Sequence, residues 1–446
     1  MADKTPLRSA KVCSKSRWCE LPIDLCALIL SKLSVKNVLR FEAVCPSWNK
    51  VVKYISQLPS SLACLPEPPW IVLHKYNDDV GFRFRTLKGK IYHLKDPPGK
   101  LRHADVICLG SSHGWLLFLR NKEQKQLRPL LLNPLSGIQL LLPSFQTCPH
   151  IISITYPKIP TRIGHAYCRI KSNKCIHTNP ITPERCCMGS VEDMARRISK
   201  VVLSSRPTCS SSQNNNDKIG VLVMYTFKNG WLEQDQINFL AVHFLMFCTT
   251  TDGTWRKLGK QAQYIDITSS NNKFYALRID FCVHVWDFPD SSPVKKLKIR
   301  PHNASAIVEQ VKNKDQLHRA YIIKTGEDLF LILRIYESWS HTADKTISFR
   351  VYNLGLIDGK CGWMEVESIG NWAFVLGSKQ STVMICSGDG SEWEENSIYF
   401  TEMPYLKGHL GVFNLGFNLR DKRVKKVCDL PQRPPYSPDL WLDPKF

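Results

Sequence analysis

The chain lacks long hydrophobic runs. Across its 446 residues no window approaches the ~18 uninterrupted apolar residues of a membrane-spanning helix. The oiliest stretch outside the N-terminal region, "INFLAVHFLMFC", is broken by His243. The opening "MADKTPLRSAKVCSKSRW" carries no apolar core of a signal peptide. The expectation is a soluble, non-secreted protein with no membrane partner, cytoplasmic and/or nuclear. Acid is also scarce: 39 Asp and Glu face 60 Lys and Arg, a formal net charge of +21. The excess base forms no arginine-rich arm. "KKLKIR" (295–300) and "RDKRVKK" (420–426) lack the interleaved aromatics of a nucleic-acid module and read as solvated strand ends and loops. Nucleic acid is therefore not the expected partner, although "KRVKK" has the composition of a weak nuclear-import signal. Absent too are a phosphate-cradling Walker loop, a dinucleotide glycine fingerprint and a His-Glu-x-x-His zinc motif, which removes those enzyme classes.

Cysteine, by contrast, is plentiful. Most of the seventeen sit inside apolar runs, as at Cys26, Cys108, Cys248 and Cys282. There a thiol behaves as a small hydrophobe in a reducing compartment. The 43% hydrophobic and 22% charged make-up is that of a folded chain with room for two or three domains.

Three local patterns suggest chemistry and none completes it. "GSSHG" (110–114) places Ser112 where a nucleophile elbow would, but the elbow requires strand, sharp turn, then helix. The next residues, "WLLFLR", have a strand pattern, so the glycines predict a hairpin. "HAYCRIKSNKCIH" gathers His165, Cys168, Cys175 and His177, all zinc-ligand types, but the six-residue gap between the cysteines is not a zinc-knuckle spacing. Two short strands around a basic turn fit it better. "EWEEN" (392–396) is a charged loop. The expectation is no catalytic residue, no metal and no cofactor.

The N-terminal fifty-odd residues differ from everything after them. Pro22 suits the first turn of a helix, where its missing N–H is not needed. From Pro22 to Leu33 only Asp24, Ser31 and Lys32 are polar, and Asp24 and Ser31, seven apart, share one narrow stripe. A helix apolar nearly all round must be covered on more than one side. Ser34 then offers an N-cap for "VKNVLRFEAVC", with Val38, Leu39, Phe41 and Val44 as its apolar positions. Pro46 interrupts, and Ser47 is the candidate cap of a third helix, "SWNKVVKYI". Units this small rarely build a self-sufficient core. Each large apolar side chain left in water forgoes roughly 1.5–3 kcal/mol. About five or six of them forgo as much as a whole domain's net stability of ~5–15 kcal/mol. Part of this surface must be buried against the downstream domain or a separate protein, and the residues alone do not choose.

The series Leu21-Pro22-x-Asp24-Leu25, Ile29-Leu30, Leu33, Val38-Leu39, Phe41, Val44-Cys45-x-x-Trp48 resembles the F-box over residues 17–56. The resemblance implies a three-helix hook that docks onto the Skp-type adaptor of cullin–RING ubiquitin ligases. By that likeness Leu21, Pro22, Leu25, Ile29, Leu30, Leu33, Val38, Val44, Cys45 and Trp48 form or support the adaptor-facing surface. Two departures fall at helix boundaries: Ser34 stands where the family often has proline, and Pro46 where a basic residue is common.

From Trp70 onward, short alternating apolar runs with turn signals mark an all-β domain. "VHVWDF" (283–288), "FRVYNL" (349–354) and "LGVFNL" (410–415) repeat one pattern, their starts 66 and 61 residues apart. "PLLLNPLSGIQLLLP" (129–143) is a looser copy, and "GTWRKL" (253–258) and "CGWMEV" (361–366) form a second recurrence. Repeats of this period holding about four strands predict propeller blades, six or seven of them between residues 70 and 430. Trp286, Tyr352 and Phe413 then read as inter-blade core. "GSSHGWLLF", "LLNPLSG", "DGTWRKL", "GWMEVESIGNWAFVLG", "NSIYFTEM" and "GHLGVFNL" resemble, in this order, the C-terminal domain of plant F-box proteins often called F-box/kelch-like. Residues 171–218 fit worst and read as an insertion, with "SVEDMARRISKVV" as a short helix and "TCSSSQNNNDK" as a loop. The remaining divisions are a disordered basic N-terminus (1–16), a Pro/Ser-rich linker (57–69) and a C-terminal tail (431–446).

The resemblance implies a non-catalytic substrate receptor of a Skp–cullin–F-box ubiquitin ligase. The helices would dock the adaptor, and through it a cullin–RING ligase, while the β domain recruits a target protein. The alternative is a propeller scaffold or nucleic-acid binder whose helices are structural.

Overall fold

The computed structural model describes residues 17–56 except 31 and 34, together with 69–73, 82–94, 106–120, 128–147, 168–171, 174–177, 197–205, 218–227, 242–259, 263–288, 294–312, 318–336, 346–377, 379–386, 393–402, 405–406, 409–410, 412–430 and 441–443. It divides into a small N-terminal helical unit and a large β unit. Among the described residues no helix is long and apolar enough to cross a membrane.

The helical unit begins with a 3-10 turn, Arg17–Glu20, followed by α1 (Ile23–Leu30), α2 (Val35–Glu42) and α3 (Pro46–Ser56). α1 starts as expected, its first helical bond running from Cys26 N–H to the Pro22 carbonyl at 3.1 Å. α3 begins one residue earlier than Ser47 implied. Pro46 is its first residue and Cys45 its cap, the Cys45 carbonyl accepting from Asn49 N–H at 3.0 Å. Pro46 thus starts the helix rather than interrupting it.

The β unit is a six-bladed propeller. From the innermost strand outward, blade 2 consists of Val106–Ser112, Trp115–Arg120, Pro129–Leu132 and Gln139–Leu141. Blade 3 is Ile198–Leu203, Gly220–Phe227, Val242–Thr249 and Arg256–Leu258. Blade 4 is Tyr264–Ser270, Lys273–Arg278, Val283–Asp287 and Val294–Ile299, and blade 5 is His318–Thr325, Asp328–Tyr336, Thr346–Ile357 and Lys360–Val366. Blade 6 has five strands, with Trp372–Leu376 lying between Ser381–Ile385 and a parallel partner, Ser397–Glu402, then Val412–Asn418 and Arg423–Leu430. Blade 1 joins the two ends of the domain: Trp441–Leu442 pairs with Trp70–Leu73, which is followed by Phe82–Arg85 and Ile91–Leu94. Two assignments made from the sequence change here. The tail begun at 431 contains the strand that closes the ring, and the insertion 171–218 contains blade 3's innermost strand, where a short helix was expected. The Ser/Asn-rich loop of that insertion lies outside the described residues.

The repeated pattern falls on equivalent strands. "VHVWDF", "FRVYNL" and the looser "PLLLN" are the third strands of blades 4, 5 and 2, and "LGVFNL" is the corresponding strand of blade 6. Trp286 and Tyr352 are 1% and 3% exposed in the clusters between blades. The side chain of Phe413 lies outside the described set. Trp255, just before the fourth strand of blade 3, and Trp363, within that of blade 5, repeat one device. Each indole N–H crosses to a backbone carbonyl in an earlier part of the chain, Trp255 to Pro143 at 2.7 Å and Trp363 to Phe281 at 3.0 Å.

A polar network ties the inner strands together around the axis. Lys200 of blade 3 is ion-paired at 2.7 Å with Asp266 of blade 4, both side chains 5% exposed. Asp266 also accepts from Ile322 N–H of blade 5 at 2.8 Å, and Lys200 donates to Ser381 of blade 6 at 3.1 Å. Ser111 of blade 2 donates to the Trp441 carbonyl of blade 1 at 2.6 Å and contacts Gln380, just before blade 6's innermost strand. A fourth helix, α4 (Ala304–Lys312), lies between blades 4 and 5 and buries Ala304, Ile307 and Val311 against them. Asn303 fixes its start by donating to the Trp363 carbonyl and accepting from Trp363 N–H.

Candidate functional site

The helical unit hides one stripe of α1 and leaves the rest outside. Cys26 and Leu30, four apart and so on one face, are 0% and 4% exposed. Val38 and Phe41 of α2 and Val51 and Val52 of α3 complete the small core. Phe41 stacks on Trp48 with centroids 4.0 Å apart, and the Trp48 indole N–H reaches the Trp18 carbonyl at 2.9 Å, binding the 3-10 turn to α3. Asn49 donates to Glu42 across the α2–α3 turn at 3.0 Å.

Outside the Cys26–Leu30 pair, α1 presents Ile23 (47% exposed), Leu25 (49%), Leu28 (61%) and Ile29 (37%), with Val44 (60%) exposed in the α2–α3 turn. The ten residues singled out from the sequence therefore separate. Pro22, Leu25, Ile29 and Val44 are exposed; Leu21, Leu33, Cys45 and Trp48 are half-buried. Leu30 and Val38 are buried. Ile23 and Leu28 were not singled out, yet are as exposed as Leu25. The signal was present in a helix apolar on every side, and only the geometry shows which side is covered internally.

Two of the chemical patterns fall on described strands. Ser112 ends one strand, His113 and Gly114 make a turn with φ of 50° and 81°, and Trp115 begins the next strand. Both positive φ values are those of a tight two-residue hairpin, so no elbow forms. Cys168 and His177 are opposite partners in a two-stranded hairpin, and His165 lies outside the described residues. Among the described residues no group of three or more His, Cys, Asp or Glu side chains is arranged to hold a metal.

Comparison with known proteins matches the same two parts. The F-box domain model covers residues 18–59, and the KIB1-4 beta-propeller model covers residues 82–414. The chain belongs to the KIB1-4 β-propeller family and carries an F-box domain. It is similar to F-box only protein 7 of Arabidopsis thaliana, 22% identical over 91% of this chain and 90% of that one. A probable F-box protein of the same plant is 20% identical over 87% of this chain and 85% of its own length. Among solved structures, the N-terminal domain of Nup159 is 10% identical with a TM-score of 0.30 over 86% of this chain and 84% of that domain, a likeness too weak to bear on function.

Proposed function

We propose that this protein is the substrate-recognition subunit of a Skp–cullin–F-box ubiquitin ligase, acting in the cytoplasm, the nucleus or both. Its F-box docks a Skp-type adaptor and thereby a cullin–RING ligase, and its propeller recruits a target protein. The observation that carries the reading is the exposed apolar set Ile23, Leu25, Leu28, Ile29 and Val44 on the segment that matches the F-box domain. Left in water, these side chains forgo roughly 1.5–3 kcal/mol each, and an apolar partner surface recovers it. The protein contributes proximity: holding a target beside a ubiquitin-loaded enzyme makes transfer effectively intramolecular, so no catalytic residue is needed in this chain. The surplus of base favours targets with acidic surfaces and speeds their encounter.

The test is co-purification of the full chain with a plant Skp-type adaptor, beside a variant carrying Leu25→Asp and Ile29→Asp. Both side chains point away from the Cys26–Leu30 core, so circular dichroism should show helix content unchanged. The wild type should retain the adaptor and the variant lose it. A folded wild-type chain indifferent to the adaptor overturns the proposal and leaves the scaffold reading in front.

A further inference from the structure

At eight residues, Arg423–Leu430 of blade 6 is the longest outermost strand of the six blades. Among the described residues its outer side pairs with no strand. Arg423, Lys425, Lys426 and Val427 are exposed, and Val424 and Cys428 are half-buried, so neither face is sealed. The segment 420–430 carries Arg420, Lys422, Arg423, Lys425 and Lys426 against Asp421 and Asp429. Lys425 reaches Asp421 at 3.3 Å and Glu394 at 3.9 Å, and Lys422 reaches Glu367 at 3.3 Å. These side chains are between 40% and 84% exposed, so the pairs are weak and screened by water. Lys422, just before the strand, also lines a groove of about 350 Å³ between blades 5 and 6, with Ile347, Phe349, Val366, Phe417 and Leu419 as its apolar walls.

We propose that this edge binds an acidic, extended peptide as an added strand, with one large apolar residue of the peptide seated in the groove. Main-chain hydrogen bonds along the edge supply affinity with little regard to sequence, and the cations select which peptide comes. A second copy of this chain does not fit, because pairing edge to edge would set like charges against each other. Nucleic acid meets the same charge but offers no strand to pair with the edge. The groove adds the apolar contact that a purely electrostatic encounter lacks. This names the class of target for the propeller, and it rests on the recruiting role proposed above.

The experiment titrates the full chain into a labelled peptide of alternating Glu and Thr, as long as the strand, and follows fluorescence anisotropy. Binding should weaken as sodium chloride screens the charges. N-methylating one alternate set of peptide residues should abolish binding and methylating the other set should spare it, a difference that charge attraction alone does not make. A leucine added at one end, and not at the other, should tighten binding roughly tenfold. Arg423→Glu, Lys425→Glu and Lys426→Glu together should weaken the acidic peptide by roughly tenfold or more and create binding to an alternating Lys and Thr peptide, a switch that an unfolded variant cannot make. The same variant should still co-purify with the Skp-type adaptor. A wild-type chain that binds the peptide but not the adaptor keeps this edge and overturns only the receptor reading. The edge proposal is overturned by equal effects of the two methylated sets, by no gain from leucine at either end, or by a peptide preference unchanged on charge reversal. Equal binding of a single-stranded oligonucleotide of the same charge, or a wild-type dimer that the charge reversal dissolves, overturns it too.

Discussion

Lys200 and Asp266 show how much one pair can carry. Each is buried, and each bonds to groups from other blades. Breaking such a pair by removing one partner leaves an uncompensated charge, at a cost of about 3–5 kcal/mol. Asp266→Asn should therefore lower the urea midpoint sharply, and Lys200→Met with Asp266→Leu together should recover most of that loss. Lys379 is a subtler case. The residue is only partly covered, but burial of its ammonium pushes the pKa from 10.5 to about 8, against the pull of the Cys108 thiol beside it. Its pKa is lower in the folded state, so the unfolded chain binds more protons between pH 8 and 10.5 and stability rises with pH across that window. Below it the full cost is present. Lys379→Met should thus stabilise the protein at neutral pH, with the gain fading as pH approaches 10.5 in paired urea titrations.

Among the elements, the two-residue strand Trp441–Leu442 is one of the shortest and among the most consequential. Trp441 is 1% exposed, packs on Trp393 at 5.8 Å and supplies the carbonyl held by Ser111. Trp441→Ala should cost about 3–5 kcal/mol by chemical denaturation, as large-to-small changes in cores do. Elements such as this mark the limit of what the sequence discloses. The F-box segment was legible because its apolar residues follow helical spacing, and the later blades because Trp286, Tyr352 and their neighbours recur in equivalent strands. The closing strand was not, because its partner lies far away in the chain and pairing across such a distance leaves no local pattern. Blade 3's inner strand was missed for a different reason. Lys200 stands in the middle of "ISKVVL" and breaks the alternation, and only Asp266, 66 residues on, makes that lysine a core residue. The split of α1 into Cys26 and Leu30 inside and Leu25 and Leu28 outside was equally hidden, since both faces have the same chemistry.

For the whole molecule, part of the base lies along the outer edges of blades. Lys298 lies on the outermost strand of blade 4, Arg423, Lys425 and Lys426 on that of blade 6, and Arg256 and Lys257 on that of blade 3. These strands expose unpaired backbone groups, and charge along them discourages edge-to-edge association. Replacing Lys298, Arg423 and Lys425 with threonine should convert a monomer into oligomers in light scattering after size exclusion. The ring's closure also bears on how the protein is made. Ile71 pairs with Trp441, residues whose synthesis is separated by some 370 codons. At roughly 5–20 residues per second, the ribosome takes on the order of 20–70 s to deliver the last strand after the first has emerged. Throughout that interval blade 1 waits with an open edge, and the propeller cannot close until Trp441–Leu442 has been made. A chain that stops short of Trp441 would remain an unclosed ring, a natural client for chaperones and for the degradation machinery that this protein is proposed to serve.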